Sequence, residues 1–205
     1  MRTVKILCAL AAVLWFVMFS PWTKGLVPFW PMMSATGAGL AACALFIDRN
    51  ALEEIYQFKR QHVIAGLMSA AVLYLVFFIG NAIAEWMLPF AKEQVASIYV
   101  SRDAASFWMI GLLLFFVIGP AEEVFWRGFV QRRLSAGFGD NAGFFLATII
   151  YAGVHIWSFN LMLVGAALVC GVFWGLMYGR FRSVWPGLIS HALWDVAIFV
   201  LWPVK

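Results

Sequence analysis

Residues 107–134 read FWMIGLLLFFVIGPAEEVFWRGFVQRRL. From Phe107 to Ala121 there is no charge; Glu122, Glu123 and Arg127 follow, and Arg132 and Arg133 close the stretch. At ~1.5 Å per residue such a helix crosses the ~30 Å hydrocarbon core of a bilayer. A soluble domain has no place for an apolar helix of this length, so the stretch is read as a membrane span that carries charge in its second half.

The rest of the chain agrees with that reading. Of 205 residues, 64% are hydrophobic and 12% charged, with mean hydropathy +0.91. Soluble domains run at roughly 45–50% apolar, so a cytosolic enzyme, a disordered chain and a disulfide scaffold are excluded. Segments that reach or approach spanning length are Val4–Phe19, Leu26–Ile47, Val63–Leu88, Phe107–Leu134, Ala142–Trp157, Leu161–Tyr178 and Val184–Trp202. The expected fold is all-α: a polytopic transmembrane bundle of about seven spans (six to eight), forming one integral-membrane domain over 1–205, with its motif-bearing core at about 107–202. The first segment follows Arg2 and Lys5 like a signal peptide, but no small-x-small cleavage site comes after it, so it is read as a permanent span.

Orientation follows from the 14 basic residues. Arg2, Lys5, Arg49, Lys59, Arg60, Arg127, Arg132, Arg133, Arg180 and Arg182 fall on one side of such a bundle, and Lys24, Lys92, Arg102 and Lys205 on the other. The richer side is the inner one, which predicts an N-terminus inside. The net charge of +4 is spread along the chain without an aromatic recognition motif, so no nucleic-acid partner is expected. Cys8, Cys43 and Cys170 lie in apolar runs without C-x-x-C spacing and are read as packing residues. Trp22 and Trp30 fall at expected span ends, Pro89–Ser106 is read as a short interfacial helix or a loop, and Gly171, Gly175 and Gly179 form a stripe for helix packing.

Ionisable groups in hydrocarbon cost roughly 2.5–3.5 kcal/mol each on insertion scales. Here they gather late in the chain: Glu122, Glu123 and Arg127 in span four, His155 in span five, His191 and Asp195 in span seven. Glu123 and Arg127 have the spacing and order of a same-face ion pair. Glu122 points about 100° away and is spare. A spare carboxylate in low-dielectric surroundings can take and release a proton. Gly119-Pro120 just before it can bend the helix and admit water. His191 and Asp195 share a face, so the carboxyl group can hold one ring nitrogen and leave the other for substrate or water. Polar glue between helices accounts for any one of these residues, whereas six on three helices point to chemistry, with Glu122, His155 and His191 converging on one wet pocket.

These residues form the pattern E-E-x-x-x-R, aromatic-x-x-x-H and H-x-x-x-D on successive membrane helices: Glu122-Glu123…Arg127, Tyr151…His155 and His191…Asp195. The pattern resembles the CPBP family, the CAAX-prenyl-protease and bacteriocin-processing group also called Abi, over about Pro120–Val196. The resemblance implies a glutamic intramembrane endopeptidase acting on a membrane-anchored peptide, such as a prenylated protein, a bacteriocin leader or a C-terminal sorting signal. It makes Glu122 the general base, His155 its partner in binding the nucleophilic water, and His191 with Asp195 the oxyanion side. Glu123 and Arg127 support Glu122. It implies no cofactor, and a multi-pass location in a bacterial inner membrane. Tyr151 stands in place of phenylalanine. Asp195 stands where the prenyl-protease branch often has asparagine; ionised, it cannot donate to an oxyanion, so it is either protonated or orients His191. This weighs against a CAAX-type substrate.

The rival readings are a zinc metalloprotease using Glu122, His155, His191 and Asp195, an aspartyl protease using Asp140, and a non-catalytic immunity or transport protein. No H-E-x-x-H is present, and His62 falls in a loop, so zinc is disfavoured. Gly137-Phe138-Gly139-Asp140 reads better as a helix-ending glycine turn, and Ser158 and Ser190 lack the setting of a nucleophile. Polarity confined to one half of the chain argues against a transporter built from inverted repeats.

Overall fold

The computed structural model describes residues 1–204, and among them there are helices and turns but no strand. Besides a short turn at Leu52–Ile55, the helices are α1 (Arg2–Phe19), α2 (Phe29–Ile47), α3 (Arg60–Met87), α4 (Ala91–Tyr99), α5 (Phe107–Phe138), α6 (Asp140–Gly153), α7 (Leu161–Phe181) and α8 (Trp185–Leu201). Five of these, α1, α2, α3, α5 and α7, are long and apolar enough to cross a membrane. The chain is an integral membrane protein. The other two expected spans are shorter: α8 is apolar over Trp185–Leu201, and α6 has 14 residues. At ~1.5 Å per residue α6 reaches only ~21 Å.

Local chemistry sets where the helices begin and end. Ser20, extended at ψ 137 and followed by Pro21, stops α1. Pro28 precedes α2, and Pro31 sits in its first turn, where its missing N–H leaves no bond unmade, so the helix starts at Phe29 rather than Leu26. The third helix starts at Arg60, ahead of the expected Val63, because the His62 ring accepts the backbone N–H of Lys59 and closes the first turn. His62 is therefore a buried helical residue, not a loop residue. Ser106 caps α5 through the Met109 N–H, and Asn160 caps α7 through the Leu163 N–H. Gly139, at φ 86, breaks the chain between α5 and α6 as the glycine turn suggested, leaving Asp140 to pair with Arg182. The Asp140 carboxyl is held below its usual range by the bond from that guanidinium.

Helix α4 is amphipathic and tied to the bundle rather than floating on it. Asn160 donates to the Gln94 carbonyl at 2.8 Å, and Tyr99 donates to the Ile198 carbonyl at 3.0 Å. Burial pushes the Tyr99 phenol up to about 12, so it stays a donor. Trp30, expected at an interface with Trp22, is 3% exposed and donates to the Ser101 carbonyl at 2.9 Å, whereas Trp22 stands in the open. The polar end of the indole is satisfied by a protein carbonyl, and this removes its need for the headgroup layer.

Small residues let α3 and the last four helices close up. A Cβ on Gly66 would lie 2.6 Å from Ile189 Cβ, joining α3 to α8, and one on Gly143 would lie 2.3 Å from the Ser135 nitrogen, joining α6 to α5. In the glycine stripe, Gly171 fits against Thr148 and Tyr151 and Gly175 against Phe144, while Gly179 faces open space. Trp15, Phe125, Trp126, Phe129 and Trp174 fill the centre of the core.

Because the Gly143 contact is backbone, it cannot yield by a side chain turning away. We predict that Gly143→Ala lowers stability by about 1–3 kcal/mol. Gly165→Ala, with open space around it, should hold or gain up to about 1 kcal/mol from helix propensity. Thermal unfolding in detergent reads both; equal effects would contradict the packing described.

Candidate active site

The long helix α5 is not regular, and its irregularity is what presents the carboxylates. Pro120 has no N–H to give, and the turn before it widens into a π-helical stretch, Leu114–Ile118, in which Gly119 N–H reaches back to the Leu114 carbonyl. A second wide stretch runs from Val124 to Gln131. Between the two lie Glu122 and Glu123, 6% and 1% exposed. Gly119 also admits α8: a Cβ there would meet the Ala192 backbone at 3.2 Å. That approach brings His191, the next residue back along α8, beside α5.

The two carboxylates have different partners. Glu123 Oε1 accepts from Arg127 Nη1 at 2.9 Å and lies 2.9 Å from His191 Nδ1, so one oxygen joins α5 to α8. Its other oxygen, Oε2, has no hydrogen-bond partner and points at Gly187, where a Cβ would come within 2.5 Å. Arg127 is clamped on all sides: its Nη2 donates to the Cys170 carbonyl at 3.2 Å, and its guanidinium lies 4.6 Å from the Tyr151 ring centre and 5.4 Å from that of Trp174. Buried charge persists only where such pairing and stacking offset its lost hydration.

Glu122, by contrast, has no ion-pair partner among the described residues. Its Oε2 accepts from the Tyr151 hydroxyl at 2.9 Å, a neutral donor. Tyr151 is thus more than an aromatic filler: its hydroxyl holds Glu122, its carbonyl lies 2.9 Å from His155 Nδ1, and its face stacks on Arg127. Glu122 and His155 meet through this one residue.

His155 does not sit within a span helix, as expected from sequence, but in the 3-10 turn Val154–Ser158 that follows α6. The turn ends at Phe159 in the left-handed region, φ 52, and Ser158 Oγ donates to the His155 carbonyl at 2.7 Å. Bonding Nδ1 to a carbonyl makes it the donor nitrogen, so Nε2 is the acceptor in the neutral ring. That nitrogen takes the indole N–H of Trp15 at 3.2 Å.

His191 lies flat on Trp174, with ring centres 3.7 Å apart, and Trp174 donates to Ser190 Oγ at 3.1 Å. Asp195 Oδ2 stands 3.5 Å from His191 Nε2, a loose contact. Here the sequence expectation is corrected: the nitrogen of His191 that Asp195 does not face is not left for substrate or water, because Nδ1 is committed to Glu123, while Nε2 has only the loose Asp195 contact. Spacing along α8 pointed to the Asp195 contact but carried no sign of Glu123, which approaches from another helix. Glu122, His155 and His191 also share no common partner: the first two join through Tyr151, while His191 is tied to Glu123.

Two side chains of the site were missed from sequence. Trp126 is 1% exposed, packs on Tyr151 with ring centres 5.3 Å apart, and its indole N–H is unpaired. Trp15 comes from the other end of the chain. Among the described residues no three His, Cys, Asp or Glu side chains are grouped to hold a metal ion.

We predict that Glu123→Gln, which leaves Arg127 as an unpaired buried cation, costs about 3–5 kcal/mol of stability. Glu122→Gln keeps an acceptor for Tyr151 and should stay within about 1 kcal/mol. Thermal unfolding of the two variants side by side checks this; the reverse order would contradict the division between the carboxylates.

Residues 104–197 match the family model described as Rce1-like, type II CAAX prenyl endopeptidase. The match runs from the turn before α5 into α8 and spans every motif residue named above, Asp195 included. No curated protein and no solved structure matches the chain.

Proposed function

We propose, from the match of residues 104–197 to the Rce1-like prenyl-endopeptidase model, that this chain is a CPBP, or CAAX-protease, family member: a glutamic intramembrane endopeptidase in which Glu122 is the general base. The observation that carries this reading is the unequal treatment of two adjacent buried carboxylates. Glu123 is committed to Arg127 and His191. Glu122 is held only by a neutral hydroxyl, which lets it accept a proton without breaking an ion pair.

In the proposed reaction a water molecule binds between Glu122 and Nε2 of His155. Glu122 takes one proton from it as the oxygen bonds to the scissile carbonyl carbon. The carbonyl oxygen becomes an oxyanion, and the tetrahedral adduct collapses with cleavage of the C–N bond. The proton held on Glu122 passes to the departing amine, returning the carboxylate to its starting state. His155 keeps its Nδ1–H on the Tyr151 carbonyl throughout, so Nε2 stays an acceptor able to take a hydrogen bond from that water.

His191 is the proposed oxyanion-side group, in a form that the geometry limits. With Nδ1–H given to Glu123, Nε2 carries a proton only in the imidazolium, and only then can it donate to an oxyanion. Asp195 acts by orienting that nitrogen. The reaction in this form calls for no metal and no organic cofactor. The proposed substrate is a peptide or protein held in the bilayer by a prenyl group, a leader or a C-terminal sorting helix, met by a multi-pass enzyme in a bacterial inner membrane.

Changing Glu122 to Gln removes the proton acceptor while keeping the shape. Cleavage should fall by about 10²–10⁴-fold, the range of general-base catalysis, with the thermal transition retained. Mass spectrometry of membrane peptides that persist in cells carrying Glu122→Gln, followed by cleavage of those peptides by the purified protein, checks it. Full proteolysis by the folded variant would contradict the assignment.

A further inference from the structure

Trp15 lies in α1, far outside the matched residues 104–197, yet its side chain is in the site. It is 1% exposed, and its indole N–H is bonded to His155 Nε2 at 3.2 Å. An indole N–H can only donate, so it occupies the one acceptor nitrogen that the Tyr151 carbonyl leaves on the ring. Trp15 is not needed to choose the tautomer, since the bond from Nδ1 to that carbonyl already does so. What it adds is a cap on Nε2.

The surroundings make this cap part of an interface rather than an isolated contact. Phe19, one turn further along α1, packs on His155 with ring centres 5.7 Å apart, and Phe16 packs on Trp157 at 5.2 Å. Trp22 meets Phe159 at 5.3 Å. The C-terminal half of α1 is thus seated on the turn that carries His155. Trp126 flanks Trp15 at 6.1 Å, closing the inner side.

Resting on the peptidase reading, we infer that Trp15 is a positioning residue for the reaction: in the closed state its N–H holds Nε2 of His155, and a water molecule reaches that nitrogen only when Trp15 lets it go. A water between Glu122 and His155 must donate a hydrogen bond to Nε2 or leave the imidazole out of its activation, and one lone pair cannot serve two donors. Access to the nucleophile's place is therefore set by α1, a helix that carries none of the motif residues.

The test is Trp15→Phe, which keeps an aromatic ring and removes the donor. Where that variant fails to fold, 3-benzothienylalanine at position 15 keeps the indole shape without the N–H. Diethyl pyrocarbonate acylates an unprotonated, accessible imidazole nitrogen, and peptide mass spectrometry reads each histidine separately. We expect His155 to label about two- to tenfold faster than in the parent protein, the factor one lost hydrogen bond corresponds to, with His191 unchanged. Cleavage of a membrane peptide should rise by a similar factor and vanish when Glu122→Gln is added. Unchanged labelling of His155, or slower cleavage by the folded variant, would overturn the inference. Faster labelling without cleavage by either protein leaves the cap standing and counts against the peptidase reading instead.

Discussion

One carboxylate oxygen, Glu123 Oε1, holds together the part of this molecule where the charge is. It accepts from Arg127 on its own helix and faces Nδ1 of His191 on α8, both at 2.9 Å. In water such contacts are weak; away from water each group depends on the others, because removing one strands a charge. Much of the local packing serves this junction. Gly187 leaves room for Glu123, Gly119 lets α8 come close, and Tyr151 and Trp174 flank the guanidinium that balances the carboxylate.

The junction frees its neighbour. With Arg127 and His191 engaged by Glu123, Glu122 is left with the Tyr151 hydroxyl, and through the Tyr151 residue it is linked to His155. Proline and two wide π-helical turns in α5 place the pair at this point. A regular helix would also turn the two carboxylates apart, but it would not add the local widening that so often accompanies functional sites. The site is therefore built of two halves: one in which Glu123 is held by Arg127 and His191, and one in which Glu122 is held by the Tyr151 hydroxyl.

A good deal of this was legible along the chain. The apolar segments became helices, and the i,i+4 pairs Glu123/Arg127 and His191/Asp195 face one another because helix geometry makes residues four apart neighbours. Helix ends were less legible where a side chain intervened: His62 caps its own helix, and Pro28 delays another. Contacts between distant segments were not legible at all. Nothing in the spacing of α8 names Glu123 as the partner of His191, nothing in the first span names Trp15 as the partner of His155, and nothing local shows that Trp30 ends on the Ser101 carbonyl. The Tyr151 hydroxyl was not legible either: the residue reads as an aromatic ring in place of phenylalanine, and nothing in its spacing names the Glu122 carboxylate it bonds.

The central claim is that, of two adjacent buried carboxylates, Glu122 alone exchanges a proton. Infrared difference spectroscopy of the protein in lipid, recorded as pH is stepped, reads this through the carbonyl stretch of a protonated buried carboxyl group. The account predicts one such band that disappears in Glu122→Gln and survives in folded Glu123→Gln. A band that survives the first change and is lost with the second would contradict it.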